Sequence, residues 1–163
     1  MAEIERKFTI DQLPEGLPAD RGSAIRQGYL SIEPVEVRIR TRDGDSHELT
    51  VKSLGGLNRT EVNVPITADQ FEELWPLAER VVEKTRHVVE LDGQTVEVDI
   101  YRGKLAGLVV SEVEFSTESE AGAFAPPPWF GTEVTDDRRY RNAALAAADA
   151  LPREDDGTEG SRS

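Results

Sequence analysis

Ionic side chains recur at alternate positions along this 163-residue chain, and they are sorted by sign. Glu3, Glu5 and Lys7 fall on one strand parity, and so in their own segments do Arg38 with Arg40, Lys84 with Arg86, Glu97 with Asp99, and Glu112 with Glu114. Lys52 lies with Thr50 and Glu61 with Asn63 in the same manner. Residues i and i+2 of a β-strand project from one face, so each run sets charges side by side. Carboxylates in such rows are oxygen ligands for hard cations such as Mg²⁺ or Mn²⁺. Arginines offer forked donors that match phosphate, and lysines offer point charges.

The runs need strands to hold them, and the chain supplies strand signals throughout. Segments 1–10, 23–32, 35–42, 47–53, 59–66, 79–91, 95–101 and 108–116 read as strands, with Val, Ile, Leu or Phe at the parity opposite the charges. Asp43-Gly44-Asp45 and Asp92-Gly93 read as hairpin turns. Thr67-Ala68-Asp69-Gln70 has the form of a capping box ahead of a short helix with Phe71, Leu74 and Trp75 on its apolar face, stopped by Pro76. Residues 118–124 read as a second short helix. A last helix, capped by Asp136 or Asp137, is expected to bury Tyr140, Ala144, Ala147 or Ala148, and Leu151 on one face. The expected fold class is α+β, predominantly β: an eight-stranded antiparallel, tunnel-like barrel with a few flanking helices, the last at the C-terminus. One domain is expected over residues 1–151, and 152–163, rich in Asp, Glu, Gly and Ser, reads as a disordered acidic tail.

An antiparallel sheet ordinarily keeps one apolar face and one wet polar face, so alternation alone is compatible with charges on the outside. The density of the runs and their segregation by sign point inward. Acids dominate the first and last two strands, and bases the third, fourth and sixth. Enclosed like charges are costly without counterions. A polyanion would neutralise the bases and divalent metals the acids, and a triphosphate with Mg²⁺ or Mn²⁺ supplies both.

Composition narrows the alternatives. The net charge of −13 is opposite to the basic surface of a nucleic-acid binder. The chain has no cysteine, which excludes disulfides, thiolate metal sites and cysteine nucleophiles. No apolar run approaches the roughly 18 residues of a membrane span. The acidic and basic N-terminus does not resemble a secretory signal, so a cytoplasmic location is expected. No GxxxxGK[ST] loop is present, which argues against a P-loop NTPase. His47 and His87 do not share a metal-ligand spacing and read as structural, and Trp75 and Trp129 read as core or mouth packing.

The opening Glu3-Ile4-Glu5-Arg6-Lys7 matches the ExExK signature of the CYTH family, also called triphosphate tunnel metalloenzymes. The resemblance continues through Gln27-Gly28-Tyr29-Leu30, Arg38-Ile39-Arg40, Lys52, Arg59-Thr60-Glu61, Lys84-Thr85-Arg86, Glu97-Val98-Asp99, Glu112-Val113-Glu114 and the stretch from Thr135 to Leu145. Many members carry a glutamate where Asn63 stands. The resemblance implies a triphosphate-binding tunnel with a divalent metal, Mg²⁺ or Mn²⁺. The short form with this C-terminal helix most resembles the inorganic triphosphatases, which cleave tripolyphosphate to pyrophosphate and phosphate. Class IV adenylyl cyclase, thiamine triphosphatase and a non-catalytic polyphosphate- or metal-binding module are the competing readings. On this resemblance Lys7, Arg38, Arg40, Lys52, Lys84, Arg86 and Arg139 are expected to bind phosphate, and Glu3, Glu5, Asp99, Glu112 and Glu114 to hold metal. Glu61 is expected to position water or act as a base. Tyr29 is expected to orient phosphate or water, or simply to pack. The expected partner is a small-molecule triphosphate, with no nucleic acid or membrane, for a monomer or homodimer.

Overall fold

A computed structural model describes residues 4–17, 22–53 and 60–152. Glu3, Arg59 and the acidic tail from residue 153 lie outside the described residues. The strands are β1 (Ile4–Thr9), β2 (Ser23–Ser31), β3 (Val35–Arg42), β4 (Ser46–Ser53), β5 (Glu61–Pro65), β6 (Arg80–Leu91), β7 (Gln94–Tyr101) and β8 (Val109–Phe115). The helices are α1 (Ala68–Leu74), α2 (Glu118–Ala123) and α3 (Asn142–Ala147), with 3₁₀ turns at Trp75–Leu77, Gly103–Leu105 and Arg138–Tyr140. The strands form one eight-stranded sheet in the order β1-β8-β7-β6-β2-β3-β4-β5, and every neighbouring pair is antiparallel. The expected strand number and direction are present. Among the described residues β1 and β5 end the sheet without pairing to each other, so it forms an open trough and not a hydrogen-bonded ring.

Two tight turns fix much of the register. Asp43 and Gly44 have φ of 55° and 69°, and Asp92 and Gly93 have φ of 50° and 81°. Positive φ at both central residues is the type I′ geometry; Leu91 pairs with Gln94 across a two-residue loop, and Arg42 with Ser46 across a three-residue one. The Asp43-Gly44 turn joins β3 to β4, and the Asp92-Gly93 turn joins β6 to β7.

The alternate face of the sheet is apolar, and most of it is covered, while Val62 and Val64 of β5 stay exposed. Phe8, Val96, Val98, Val113, Phe115 and Phe130 form a buried cluster that receives Ile4, Phe124 and Trp129. Phe71 of α1 is fully buried and stacks on Trp75 at 5.5 Å between ring centroids. Thr67 and Gln70 form the reciprocal capping box. Gly28 makes room for this helix, because a Cβ there would stand 2.8 Å from Ala78 Cβ and 3.1 Å from Trp75 Cζ3.

The outer edge of β1 is closed by the segment 131–135. Gly131 N–H donates to Thr9 O at 2.7 Å, Thr9 N–H to Thr132 O at 2.9 Å, and Val134 N–H to Lys7 O at 2.8 Å. Arg6 fastens the same segment by two bonds to Glu133, at 2.9 and 2.7 Å, and donates to the carbonyls of Ala121 and Phe124. The Arg6 bond holds the Glu133 carboxyl below its ordinary value.

The C-terminal segment departs from the expected single helix. Asp137 caps only the 3₁₀ turn 138–140, Arg141 is extended at φ −71° and ψ 142°, and α3 begins afterwards. That break resets the helical phase. Tyr140, Leu145 and Ala146 are buried, whereas Ala147 and Leu151 are exposed. Among the described residues, no helix is long and apolar enough to cross a membrane.

Gly28→Ala is expected to lower stability by about 1–3 kcal/mol through overpacking against Ala78 and Trp75, measured by denaturant unfolding. Glu133 has a depressed folded pKa, so its contribution is complete above its unfolded value, about 4.3, and is lost as pH falls through the folded value. The stability gap between wild type and Glu133→Gln, at most about 1 kcal/mol for a partly exposed pair, is therefore expected at pH 7 and absent at the acid end of a pH series of melting curves.

Candidate active site

Directly paired residues of an antiparallel sheet share a face, and the register carries one charged face across the whole sheet. From β1 inward, Glu5 pairs with Glu114 and Lys7 with Glu112. Glu112 pairs with Glu97, and Asp99 with Arg86 and Tyr101 with Lys84. Lys84 pairs with Ile25, and on β2 Gln27 pairs with Arg40 and Tyr29 with Arg38. Arg38 pairs with Thr50, and Arg40 with Glu48. Thr50 pairs with Asn63 and Lys52 with Glu61. Apart from Glu3, which is not described, and Arg139, which is not on a strand, every expected site residue stands on this face.

The centre of the trough is enclosed. Gln27 is 0%, Lys84 1% and Asp99 6% exposed. One end is filled by the C-terminal segment, where Tyr140, Leu145 and Ala146 pack with Tyr29, Val82, Tyr101 and Val110. At the other side all five residues of β5 are exposed. A cavity of about 160 Å³ opens between Arg40, Arg42, Ser46 and Glu48.

The buried ions are arranged around Asp99. Lys84 Nζ lies 2.8 Å from Asp99 Oδ2. Arg86 donates Nε to Oδ1 at 2.8 Å and Nη2 to Oδ2 at 3.0 Å, and its Nη1 meets Glu97 at 2.6 Å. Burial alone would raise the Asp99 carboxyl, but Lys84 and Arg86 outweigh it and hold it below its ordinary value. Burial pushes the Lys84 ammonium down in spite of Asp99. For Arg86 burial acts downward, but the bond and charge of Asp99 prevail and raise it.

Away from this knot the charges are less well matched. Arg40 donates Nε to the neutral Gln27 Oε1 at 2.6 Å. Among the described residues no carboxylate pairs with it, and burial followed by Arg38 and Arg86 lowers its guanidinium pKa. On the acid side, burial raises the Glu97 carboxyl, and Glu112, Asp99 and Glu114 add to the rise against Arg86. Gln27 Nε2 also donates to Tyr29 Oη at 2.6 Å, so that phenol keeps its own hydrogen to give. Burial, then the charge of Glu36, raises Tyr29.

The remaining expected residues fall into place less uniformly. Arg38 meets Glu36 at 3.5 Å, and Lys7 Nζ donates to Tyr140 O at 3.2 Å. Lys52 is half-buried, and its strand neighbour Glu61 is exposed. Arg139 is folded onto Asp137 through Nε at 3.0 Å and Nη2 at 2.7 Å. Both oxygens of Asp99, expected to bind metal, are occupied by Lys84 and Arg86. His87 is buried, His47 stands 5.5 Å from the Phe71 ring, and Trp129 packs edge-on to Phe130, all structural placements.

The site list read from the sequence omits Gln27, Glu97, Tyr101 and Asn142. The first three share strand parity with Tyr29 or Asp99, which is the signal that finds them. Asn142 carries no such signal, because it enters the site from α3.

A hard divalent cation suits the acid side. Glu5, Glu97, Glu112 and Glu114 are all-oxygen donors on adjoining strands, and Glu112, Asp99 and Glu114 add to the rise that burial gives the Glu97 carboxyl. Among the described residues no three His, Asp or Glu side chains already converge on one point.

A single antiparallel sheet whose concave face sorts acids from bases defines a class, and the chain belongs to it: the CYTH domain family model matches residues 1–144. The chain is 49% identical over 150 residues to the inorganic triphosphatase of Nitrosomonas europaea, covering 90% of this chain and 97% of that protein. It is 37% identical over 147 residues to the inorganic triphosphatase of Acetivibrio thermocellus, covering 88% and 92%. A crystal structure of an inorganic triphosphatase, 43% identical, superposes with a TM-score of 0.77 over 94% of this chain and 98% of that one. A putative adenylate cyclase from Bacillus halodurans, 14% identical, shares the fold with a TM-score of 0.52 over 93% of both chains.

Asp99→Leu is expected to destabilise the protein by about 3–5 kcal/mol, because it strands Lys84 in a buried position with its carboxylate removed. Chemical denaturation of the purified variant measures this.

Proposed function

We propose that this protein is a divalent-metal-dependent inorganic triphosphatase that hydrolyses tripolyphosphate to pyrophosphate and phosphate. The observation that carries the reading is Arg40: a desolvated guanidinium flanked by Arg38 and Arg86, with a neutral amide as its bonded partner. Such a position has unspent positive charge, and a polyanion supplies what it lacks. The named activities of the two relatives above support the same substrate.

In this reading Arg38, Arg40, Lys52, Lys84, Arg86 and Lys7 hold the phosphate oxygens. Arginines take oxygens in pairs, and lysines give single charged contacts. Asp99 anchors Lys84 and Arg86, so that their remaining hydrogens point at substrate. Tyr29 stays protonated at neutral pH and donates its hydroxyl to a phosphate oxygen, because Gln27 already donates to its oxygen. Glu5, Glu112 and Glu114, with Glu3, hold the metal, and Glu97 adds charge beside them. When bound, the cation supplies Lewis-acid polarisation of phosphate oxygens and an acidified water. Glu61, beside Lys52 at the open side, orients the attacking water. Arg139 serves at the substrate mouth once it leaves Asp137. The water oxygen bonds to the terminal phosphorus, the bridging P–O bond breaks with its electron pair on the departing pyrophosphate, and the water proton is released. Preorganised positive charge around the transferring phosphoryl group supplies most of the acceleration.

Phosphate release from tripolyphosphate, thiamine triphosphate and ATP, assayed with Mg²⁺, Mn²⁺ or chelator and alongside cyclic AMP formation, tests the proposal. Tripolyphosphate is expected to turn over fastest, and only with metal. Arg40→Ala is expected to lower kcat/KM by about 10²–10³, and Glu114→Gln to abolish metal-dependent turnover with melting behaviour unchanged. No turnover of any triphosphate with either metal would leave a binding module, and cyclic AMP as the main product would make the protein a cyclase.

A further inference from the structure

The C-terminal segment does more than fill one end of the trough, because it sends a polar side chain to the most deeply buried cation. Asn142, the first residue of α3, accepts at Oδ1 from Lys84 Nζ at 3.3 Å and from Tyr101 Oη at 3.0 Å. We infer that Asn142 is a positioning residue, whose side-chain carbonyl fixes the direction of the Lys84 ammonium without neutralising its charge.

The donor count supports this. An ammonium has three hydrogens and an sp² carbonyl oxygen has two lone pairs. Asp99 takes one Lys84 hydrogen at 2.8 Å and Asn142 takes a second, which leaves the third to the trough. Tyr101 fills the other lone pair of Oδ1. Two converging donors settle which amide atom faces inward, since the Nδ2 group has no lone pair to offer them. The Tyr101 ring stands 5.4 Å from Lys84 Nζ and limits the ammonium on that side.

Charge explains why an amide suits the position. Lys84 already faces Asp99, with Arg86 and Arg40 as its cationic neighbours. A second carboxylate at residue 142 would cancel the positive charge that a polyanion needs and would repel Asp99. An apolar side chain would leave two buried donors unsatisfied. The anchoring of α3 sets the placement: Leu145 and Ala146 are 0% exposed, and the extended Arg141 delivers residue 142 toward β6 and β7.

This inference rests on the proposed phosphate clamp, and its test separates the two. Calorimetric binding of tripolyphosphate in the presence of chelator is measured for wild type, Asn142→Leu and Asn142→Asp, each also in a Lys84→Met background, with KM and kcat in Mg²⁺ and melting curves alongside. Both single variants are expected to weaken binding and raise KM about tenfold, with kcat less affected. Asn142→Asp, which keeps an acceptor for both donors, is expected to melt above Asn142→Leu. In the Lys84→Met background Asn142→Leu is not expected to weaken binding further, because coupled residues are non-additive, whereas Asn142→Asp still weakens it through its own charge. Wild-type affinity in both single variants, or an equal loss by Asn142→Leu in the Lys84→Met background, overturns the inference. Failure of the wild type itself to bind tripolyphosphate overturns the clamp, and this inference with it.

Discussion

Burying a cation in protein costs several kcal/mol unless a partner compensates it, and this sheet encloses several on one concave face. Lys84 and Arg86 are compensated by Asp99. Among the described residues, Arg40 has a neutral amide and no carboxylate as its bonded partner, and it sits beside two further arginines. The site therefore holds its positive charge under tension. On the acid side, burial raises the Glu97 carboxyl, and Glu112, Asp99 and Glu114 add to the rise against the bridge to Arg86. A ligand that brings anionic oxygens to one side and a divalent cation to the other relieves both at once.

That demand inverts the usual layering of a small β-protein. The concave face is given to ions, so the apolar parity of each strand must find its cover outside. The sequence supplies that cover in short pieces: Phe71 from α1 and Trp75 from the turn after it, Phe124 after α2, and Trp129 and Phe130 beyond the proline run. The segment 131–135 then closes the β1 edge, which would otherwise offer unpaired backbone groups. The chain finally turns into the trough, where Tyr140, Leu145 and Ala146 bury apolar area against Val82, Tyr101 and Val110. Core and site thus meet at one surface, and the last helix belongs to both.

Much of this arrangement is legible in the amino-acid order because a strand has a period of two. Once Arg38 and Arg40 share a face, antiparallel pairing carries that face to Gln27 and Thr50, and the two Asp-Gly turns set the register of their hairpins. The capping box at Thr67 is equally local. What is hidden depends on tertiary placement. A carboxylate in a strand pattern looks the same whether it will meet a metal or an ammonium, so the ion pairs of Asp99 with Lys84 and Arg86 emerge only from the folded arrangement. The break at Arg141 rotates the buried face of the last helix away from Leu151 and toward Leu145 and Ala146. Asn142 reaches the site through that break, and no spacing rule points to it. Arg139 is held by Asp137 within its own turn, a contact too short in sequence for strand or helix periodicity to reveal.

The account is tested most directly by an experimental structure of this protein with tripolyphosphate bound. The phosphates are expected on the concave face, with oxygens within hydrogen-bonding distance of Arg38, Arg40 and Lys84, and with Asp99 still joined to Lys84 and Arg86. Tripolyphosphate bound on the convex side, or a trough left empty with Arg40 turned to solvent, would contradict it.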